Sequence, residues 1–124
     1  MNLKSKKWRP KNLDESFKIA FKGLGIVLKT ERTARIILLL GILALGLGVF
    51  LKISRIDFMI LILVICLVFI SEAVNTLVEY ILDALIKEEN PYARIIKDIS
   101  AGVVLLSCIF SIIIGWILFK KYLF

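Results

Sequence analysis

The sequence predicts an all-α integral membrane protein in which three transmembrane helices follow an amphipathic helix lying on the membrane surface. Of the 124 residues, 60% are hydrophobic, which exceeds the usage of about 45–50% that is typical of soluble domains. Three apolar segments also approach the length of about 20 residues that a helix needs to cross a bilayer. The chain shows no internal repeat and no low-complexity segment, so we interpret residues 1–124 as a single domain.

The predicted surface helix covers residues 13–29. Apolar side chains recur there at helical spacing, at Leu13, Phe17, Phe21, Leu24 and Leu28, and lysines occupy other faces. A helix rich in Lys and Phe suits the interface between headgroups and acyl chains. Gly23 and Gly25 each weaken a helix by about 1 kcal/mol relative to Ala, so the pattern allows a break at these two positions.

The three predicted transmembrane helices cover residues 34–51, 58–82 and 99–119. Small residues share one face of the first, at Gly41, Ala44 and Gly48. The third has a comparable face formed by Ser100, Ser107, Ser111 and Gly115. Small residues allow helix backbones to approach closely in a membrane, so we expect both faces to be packing surfaces.

The charge distribution predicts the orientation of the chain. The first 35 residues hold ten Lys and Arg, and the second loop adds Lys87, Arg94 and Lys97. Only four basic residues fall on the other side: Lys52, Arg55, Lys120 and Lys121. The positive-inside rule therefore predicts a cytoplasmic N-terminus and a location in the inner (cytoplasmic) membrane. The net charge of +7 is better explained by anionic lipid headgroups than by nucleic acid, because no basic patch is interleaved with aromatic residues.

A stripe of acids at the end of the second span is the most informative motif. Glu72, Asn75, Glu79 and Asp83 fall within roughly 80° of one another on a helix. A charge near the centre of a membrane helix costs about 2.5–3.5 kcal/mol. A polar seam between helices is the alternative, but a seam would favour Ser, Thr or Asn over three acids that repel one another. The stripe therefore predicts a cation-dependent site, and Glu31 in the polar hinge before the first span should lie at the same depth.

The remaining chemistry is restricted by what the sequence lacks. It contains no His, so a general base must be a carboxylate or Lys. It also lacks a phosphate-binding GxxxxGK[ST] loop, and Cys66 and Cys108 are too isolated to indicate a disulfide or thiolate metal site. Carboxylates beside Lys97 and Asp98 can hold Mg²⁺ and phosphates. Phosphoryl transfer to a lipid alcohol is one interpretation, and a cation channel or assembly subunit is another.

At these residues the chain resembles the family of small prokaryotic diacylglycerol and undecaprenol kinases. Residues 72–83 match the family signature of Glu, two residues, Asn, Thr or Ser, two residues, Glu, and Asp four further on. Lys97-Asp98 followed by small residues resembles the second family block, and residues 17–24 resemble the surface-helix motif. Glu31 and Arg35 match the positions that follow that motif.

The resemblance implies a fold, an assembly and a set of site residues. It implies a homotrimeric helical bundle with active sites shared between subunits, and ATP with Mg²⁺ as the phosphoryl donor. Glu72 matches the catalytic base, Glu31 and Glu79 match the metal ligands, and Arg35 with Glu72 matches the lipid-binding positions. The positions that match ATP-binding residues are Glu31, Asn75, Glu79, Asp83, Glu88, Lys97 and Asp98.

The resemblance also bears on the choice of lipid. The Val-Asn-Thr and Ser-Ala-Gly variants of the two motifs are similar to those of the Gram-positive members, which favours undecaprenol over diacylglycerol as the acceptor. Asn12 stands where the family often has Arg, and Ile19 stands where an aromatic residue is common. The nucleotide or lipid contacts of these two positions therefore do not carry over.

Overall fold

The computed structural model describes residues 9–124, which form four helices and no strand. Helix α1 (Leu13–Thr30) is followed by α2 (Arg32–Phe50), α3 (Arg55–Leu85) and α4 (Pro91–Leu123). Three of them, α2, α3 and α4, are long and apolar enough to cross a membrane. The predicted fold class, three spans preceded by an amphipathic helix, is confirmed. Lys4, Lys6 and Lys7, which contribute to the predicted basic N-terminal segment, lie outside the described residues.

Local capping fixes where the helices begin and end. The Asn12 side chain accepts a hydrogen bond from the backbone N–H of Glu15, and Asn90 does the same for Tyr92 at the start of α4. Such caps satisfy donors that the first turn of a helix leaves unpaired. Helix α2 ends with Lys52 in a left-handed conformation (φ 55°), and the N–H of Ile53 reaches back to the carbonyl of Gly48. This arrangement is a Schellman motif.

The helices extend beyond the predicted apolar segments. Helix α1 is continuous through Gly23 and Gly25, so the break that the pattern allows does not occur. Helices α3 and α4 have 31 and 33 residues, or about 46 and 50 Å, against a hydrocarbon core of about 30 Å. Their extra turns carry Asp83 and Lys97. The polar site residues therefore belong to the same rigid helices as the apolar spans.

Helix α3 is central to the packing. It contacts α2 on one side and α4 on another, and α1 contacts α2 and α3. Within the described part of the chain, no contact links α4 with α1 or α2. At the α2–α3 contact Gly41 and Gly48 are buried, Gly41 against Ile65, as the predicted small-residue face requires.

A polar cluster joins α3 and α4 at the end that is distant from the acid stripe. The Asp57 carboxylate lies 2.7 Å from Lys121 Nζ and accepts a hydrogen bond of 2.6 Å from the Tyr122 hydroxyl. That hydroxyl in turn accepts a bond from the backbone N–H of Ser54. Asp57 is buried, although it stands at the start of an otherwise apolar helix. Its charge is therefore compensated within the chain.

Candidate active site

The acid stripe lies on the C-terminal half of α3 and is partly enclosed. Glu72 is 3% exposed, Asn75 is 8% exposed and Thr76 is 2% exposed. The Thr76 hydroxyl donates to the backbone carbonyl of Glu72, four residues earlier. This bond is the usual way for a threonine inside a helix to satisfy its hydroxyl. The same helix that crosses the membrane therefore holds Glu72 and Asn75 in a fixed orientation.

Glu72 is the most enclosed carboxylate of the site. Among the described residues, no group donates a hydrogen bond to its side chain and no cation pairs with it. The negative charges of Glu31 and Glu79 lie near enough to act on it. Glu31 at the α1–α2 joint and Glu79 on α3 therefore both lie near Glu72, where like charges disfavour one another.

The stripe continues toward the end of α3 with two polar contacts. The Asn75 amide nitrogen donates to Glu79 at 3.4 Å, whereas the Asn75 carbonyl oxygen Oδ1 is buried and has no partner among the described residues. One turn further, Lys97 of α4 donates to Asp83 at 2.7 Å, and the charge of Glu79 also acts on Lys97. The structure therefore brings five of the predicted residues into one continuous strip: Glu72, Asn75, Glu79, Asp83 and Lys97.

Three other predicted residues lie apart from these contacts. Glu88 is exposed in the α3–α4 connection, and Asp98 is exposed on α4. Within the described residues, neither has a hydrogen-bond partner. Arg35 points to the end of α1, where its guanidinium contacts the carbonyls of Leu28 and Lys29. Contact of these residues with ATP or lipid stays a prediction.

An apolar groove of about 520 Å³ runs between α1 and α3. Gly23, Leu24 and Val27 form part of its α1 wall, and Ala73, Thr76 and Tyr80 form part of its α3 wall. Glu72 directly precedes Ala73 on α3, although Glu72 itself does not line the groove. Sequence patterns alone did not identify this groove, because its walls come from two helices that are far apart in the chain.

The carboxylates suit a hard cation that is shared with a substrate. Mg²⁺ usually binds one or two protein carboxylates and completes its shell with water and substrate phosphates. In residues 9–124 no group of three or more His, Cys, Asp or Glu side chains is arranged so that it could hold a metal ion. Binding of Mg²⁺ by Glu31 and Glu79, with phosphate oxygens completing its shell, stays a prediction.

Comparison with known proteins gives consistent results. A family model described as "Prokaryotic diacylglycerol kinase" matches residues 18–119. A protein of Synechocystis sp. named diacylglycerol kinase is 33% identical over 105 residues, which are 84% of this chain and 60% of that protein. A protein of Bacillus subtilis named undecaprenol kinase is 31% identical over 105 residues, which are 85% of this chain and 85% of that protein. The chain thus spans nearly the whole Bacillus relative but less than two thirds of the Synechocystis relative.

Proposed function

Because the chain belongs to the prokaryotic diacylglycerol kinase family, we propose that it is a membrane lipid kinase that transfers the γ-phosphoryl group of ATP to a lipid alcohol. The observation that carries this proposal is the buried carboxylate of Glu72, which pairs with no cation among the described residues and directly precedes Ala73 in the wall of the apolar groove. The lipid oxygen forms a bond to the γ-phosphorus, the bond from that phosphorus to the ADP oxygen breaks, and the lipid hydroxyl proton passes to a base.

Glu72 is the proposed base. Its carboxylate accepts no hydrogen bond from the described residues, so it is free to accept one from a lipid hydroxyl. The groove between α1 and α3 is apolar along its walls, which suits an acyl or isoprenoid chain lying against α3. A lipid in the groove would place its polar end near Glu72, and positioning of this kind supplies much of the rate enhancement in phosphoryl transfer.

The nucleotide is proposed to lie along the rest of the strip. Glu31 and Glu79 would hold Mg²⁺ together with the ATP phosphates, and bound Mg²⁺ would neutralise phosphate charge. The Oδ1 of Asn75, which has no partner in residues 9–124, and the Lys97–Asp83 pair offer an acceptor and a cation for the same ligand. Asp98 and Glu88 would contact the nucleotide from α4 and from the α3–α4 connection.

Undecaprenol is the proposed acceptor, and diacylglycerol is the second candidate. The motif variants at Asn75-Thr76 and at residues 100–102 favour undecaprenol, as does the Bacillus undecaprenol kinase, whose length the chain matches. The 33% identity to the Synechocystis diacylglycerol kinase supports diacylglycerol as the second candidate acceptor. The groove is lined by side chains that would accept either kind of hydrocarbon.

The proposed setting is a homotrimer in the inner membrane with its N-terminus in the cytoplasm. The basic residues up to Arg35 and those from Lys87 to Lys97 support this orientation, because together they outnumber the four basic residues on the other side. Only 11–22% of each apolar span is buried inside one chain. Helices α2 and α4 do not meet in the described chain, so neighbouring chains would cover surfaces that are otherwise left to lipid.

The proposal is tested by incubating the purified protein, in detergent micelles, with ATP labelled on the γ-phosphate and either undecaprenol or diacylglycerol. We expect transfer of label to lipid that depends on Mg²⁺, with a higher kcat/KM for undecaprenol. A higher kcat/KM for diacylglycerol would reverse the substrate assignment. Absence of transfer to both lipids would contradict the kinase proposal and favour the channel or assembly-subunit alternative.

A further inference from the structure

The joint between α1 and α2 is a single residue, Glu31. Its backbone is extended (φ −108°, ψ 111°), and its N–H closes α1 by donating to the carbonyl of Val27 at 2.9 Å. The Glu31 side chain makes no capping hydrogen bond to α2, so its carboxylate is free to face the acid stripe. Since the joint is one residue long, the direction of this carboxylate depends on the angle between α1 and α2.

Arg35 connects the two helices across this joint. It belongs to the first turns of α2, yet its Nη1 donates to the carbonyls of Leu28 and Lys29 in the last turn of α1, at 2.8 and 2.9 Å. The last carbonyls of a helix lack partners within the helix, and a cation is favourable at this end of the helix dipole. One guanidinium nitrogen therefore caps α1 from α2.

Ala34, the residue before Arg35, fixes the start of α2 on which Arg35 stands. Ala34 is fully buried, so the first turn of α2 is packed and is poorly able to roll. In contrast, no residue of α1 is buried. Burial therefore holds the end of α1 only loosely, and the two Arg35 hydrogen bonds tie it to α2.

We propose that Arg35 is a positioning residue that fixes the angle between α1 and α2 and thereby places the Glu31 carboxylate beside Glu72 and Glu79. This role differs from the lipid contact that family resemblance implies for Arg35. The inference deepens the proposed function, and its kinetic test rests on that function. Its structural test does not, because the angle is measurable whether or not the protein phosphorylates any lipid.

The structural test measures the angle with paired spin labels. Labels are introduced at Lys18 of α1 and Leu40 of α2, both exposed, after Cys66 and Cys108 are replaced by Ala. Labelled chains are diluted with unlabelled chains, so that pulsed electron resonance reports distances within one chain. We expect a narrow distance distribution in the unaltered protein, a broad or shifted one in Arg35→Ala, and an intermediate one in Arg35→Lys, which keeps the charge but not the fork of donors.

Arg32→Ala is the matched control. Arg32 is an exposed arginine three residues earlier, and its side chain forms no hydrogen bond or ion pair with the described residues. Arg32→Ala removes the same charge from the same end of α2 as Arg35→Ala does. Its distance distribution should equal that of the unaltered protein. An unchanged distribution in Arg35→Ala, or an equal change in Arg32→Ala, would overturn the positioning role.

The kinetic test separates positioning from lipid contact. If Arg35 acts through Glu31, Arg35→Ala should raise the KM for Mg-ATP about tenfold, because the displaced Glu31 carboxylate would hold Mg-ATP less tightly; a tenfold change corresponds to about 1.4 kcal/mol. The KM for lipid should stay close to its original value. A rise in the KM for lipid alone would make Arg35 a lipid ligand and would contradict the inference. Complete absence of kinase activity in the unaltered protein would count against the proposed function, and the spin-label distances would still decide the inference.

Discussion

The presence of the Glu72 carboxylate inside a membrane-spanning helix needs an explanation. Placing a charge in the middle of a membrane helix costs about 2.5–3.5 kcal/mol, and Glu72 lies deep in α3 with only 3% of its surface exposed. A structural acid would be expected to have a compensating partner, as Asp57 has in Lys121 and Tyr122. Glu72 lacks such a partner within the described residues, which is the property expected of a group that acts on a substrate.

Glu31 and Glu79 should control binding of Mg-ATP. We predict that Glu31→Ala or Glu79→Ala abolishes Mg-ATP binding measured by calorimetry, because each removes one of the two proposed carboxylate ligands. Membrane insertion should be unaffected. Glu89→Ala, which removes an exposed acid from the α3–α4 connection, is the control and should bind as the unaltered protein does. Binding at full affinity by either Glu31→Ala or Glu79→Ala would contradict the assignment.

Sequence patterns identified the acids of the site but not their surroundings. The spacing of Glu72, Asn75, Glu79 and Asp83 is enough to place them on one helix face, because a helix has a fixed period. The partner of Asp83 and the cap formed by Arg35 depend on contacts between different helices. Such contacts have no short-range pattern. The partners of Asp57 are unpredictable from sequence for the same reason, although an acid at the start of an apolar helix indicates that it needs a partner.

At the scale of elements, the close approach of α2 and α3 depends on glycine. A Cβ added at Gly41 would lie 2.6 Å from the Ile65 Cγ2 methyl, whereas a Cβ added at Gly46 would meet nothing within 4 Å. The small-residue pattern on the first span predicted this contact. The ends of the helices were less predictable, because caps at Ser54 and Asn90 extend α3 and α4 beyond the apolar residues.

The two glycines give a direct test of the α2–α3 contact. Gly41→Ala should lower the free energy of unfolding in mixed micelles by about 1–3 kcal/mol, the usual cost of overpacking. Gly46→Ala should leave it unchanged or raise it by up to about 1 kcal/mol, because Ala favours helix over Gly. Equal effects of the two substitutions would mean that α2 does not pack on α3 through Gly41.

For the molecule as a whole, the open arrangement of the helices is the main feature. Helix α3 is flanked by α2 and α4, which do not contact each other in the described chain. Large apolar side chains such as Leu43, Leu63 and Ile112 are about 60–70% exposed. Lipid can cover these surfaces, but the proposed substrates need a more enclosed site than one chain offers. The proposed trimer would provide it.

Mixing of two inactive variants tests whether sites are shared between chains. If one chain supplies Glu72 and its neighbour supplies Lys97, oligomers mixed from Glu72→Gln and Lys97→Ala should recover activity. When the two variants are mixed in equal amounts and assort at random around a closed ring, roughly one quarter of the sites combine an intact Glu72 with an intact Lys97. Activity should therefore reach roughly one quarter of that of the unaltered protein. Differential tags confirm that mixed oligomers form. No recovery at any mixing ratio would show that each site is complete within one chain.

The central claim, that Glu72 is the base of a lipid kinase, is tested most directly by phosphoryl transfer in Glu72→Gln. The amide keeps the size of the side chain but cannot take the proton, so we predict that labelled ATP still binds while turnover on undecaprenol falls by at least about 100-fold. Glu89→Gln, the matched control, should turn over at the unaltered rate. Near-normal turnover in Glu72→Gln would remove Glu72 from the mechanism and contradict the account.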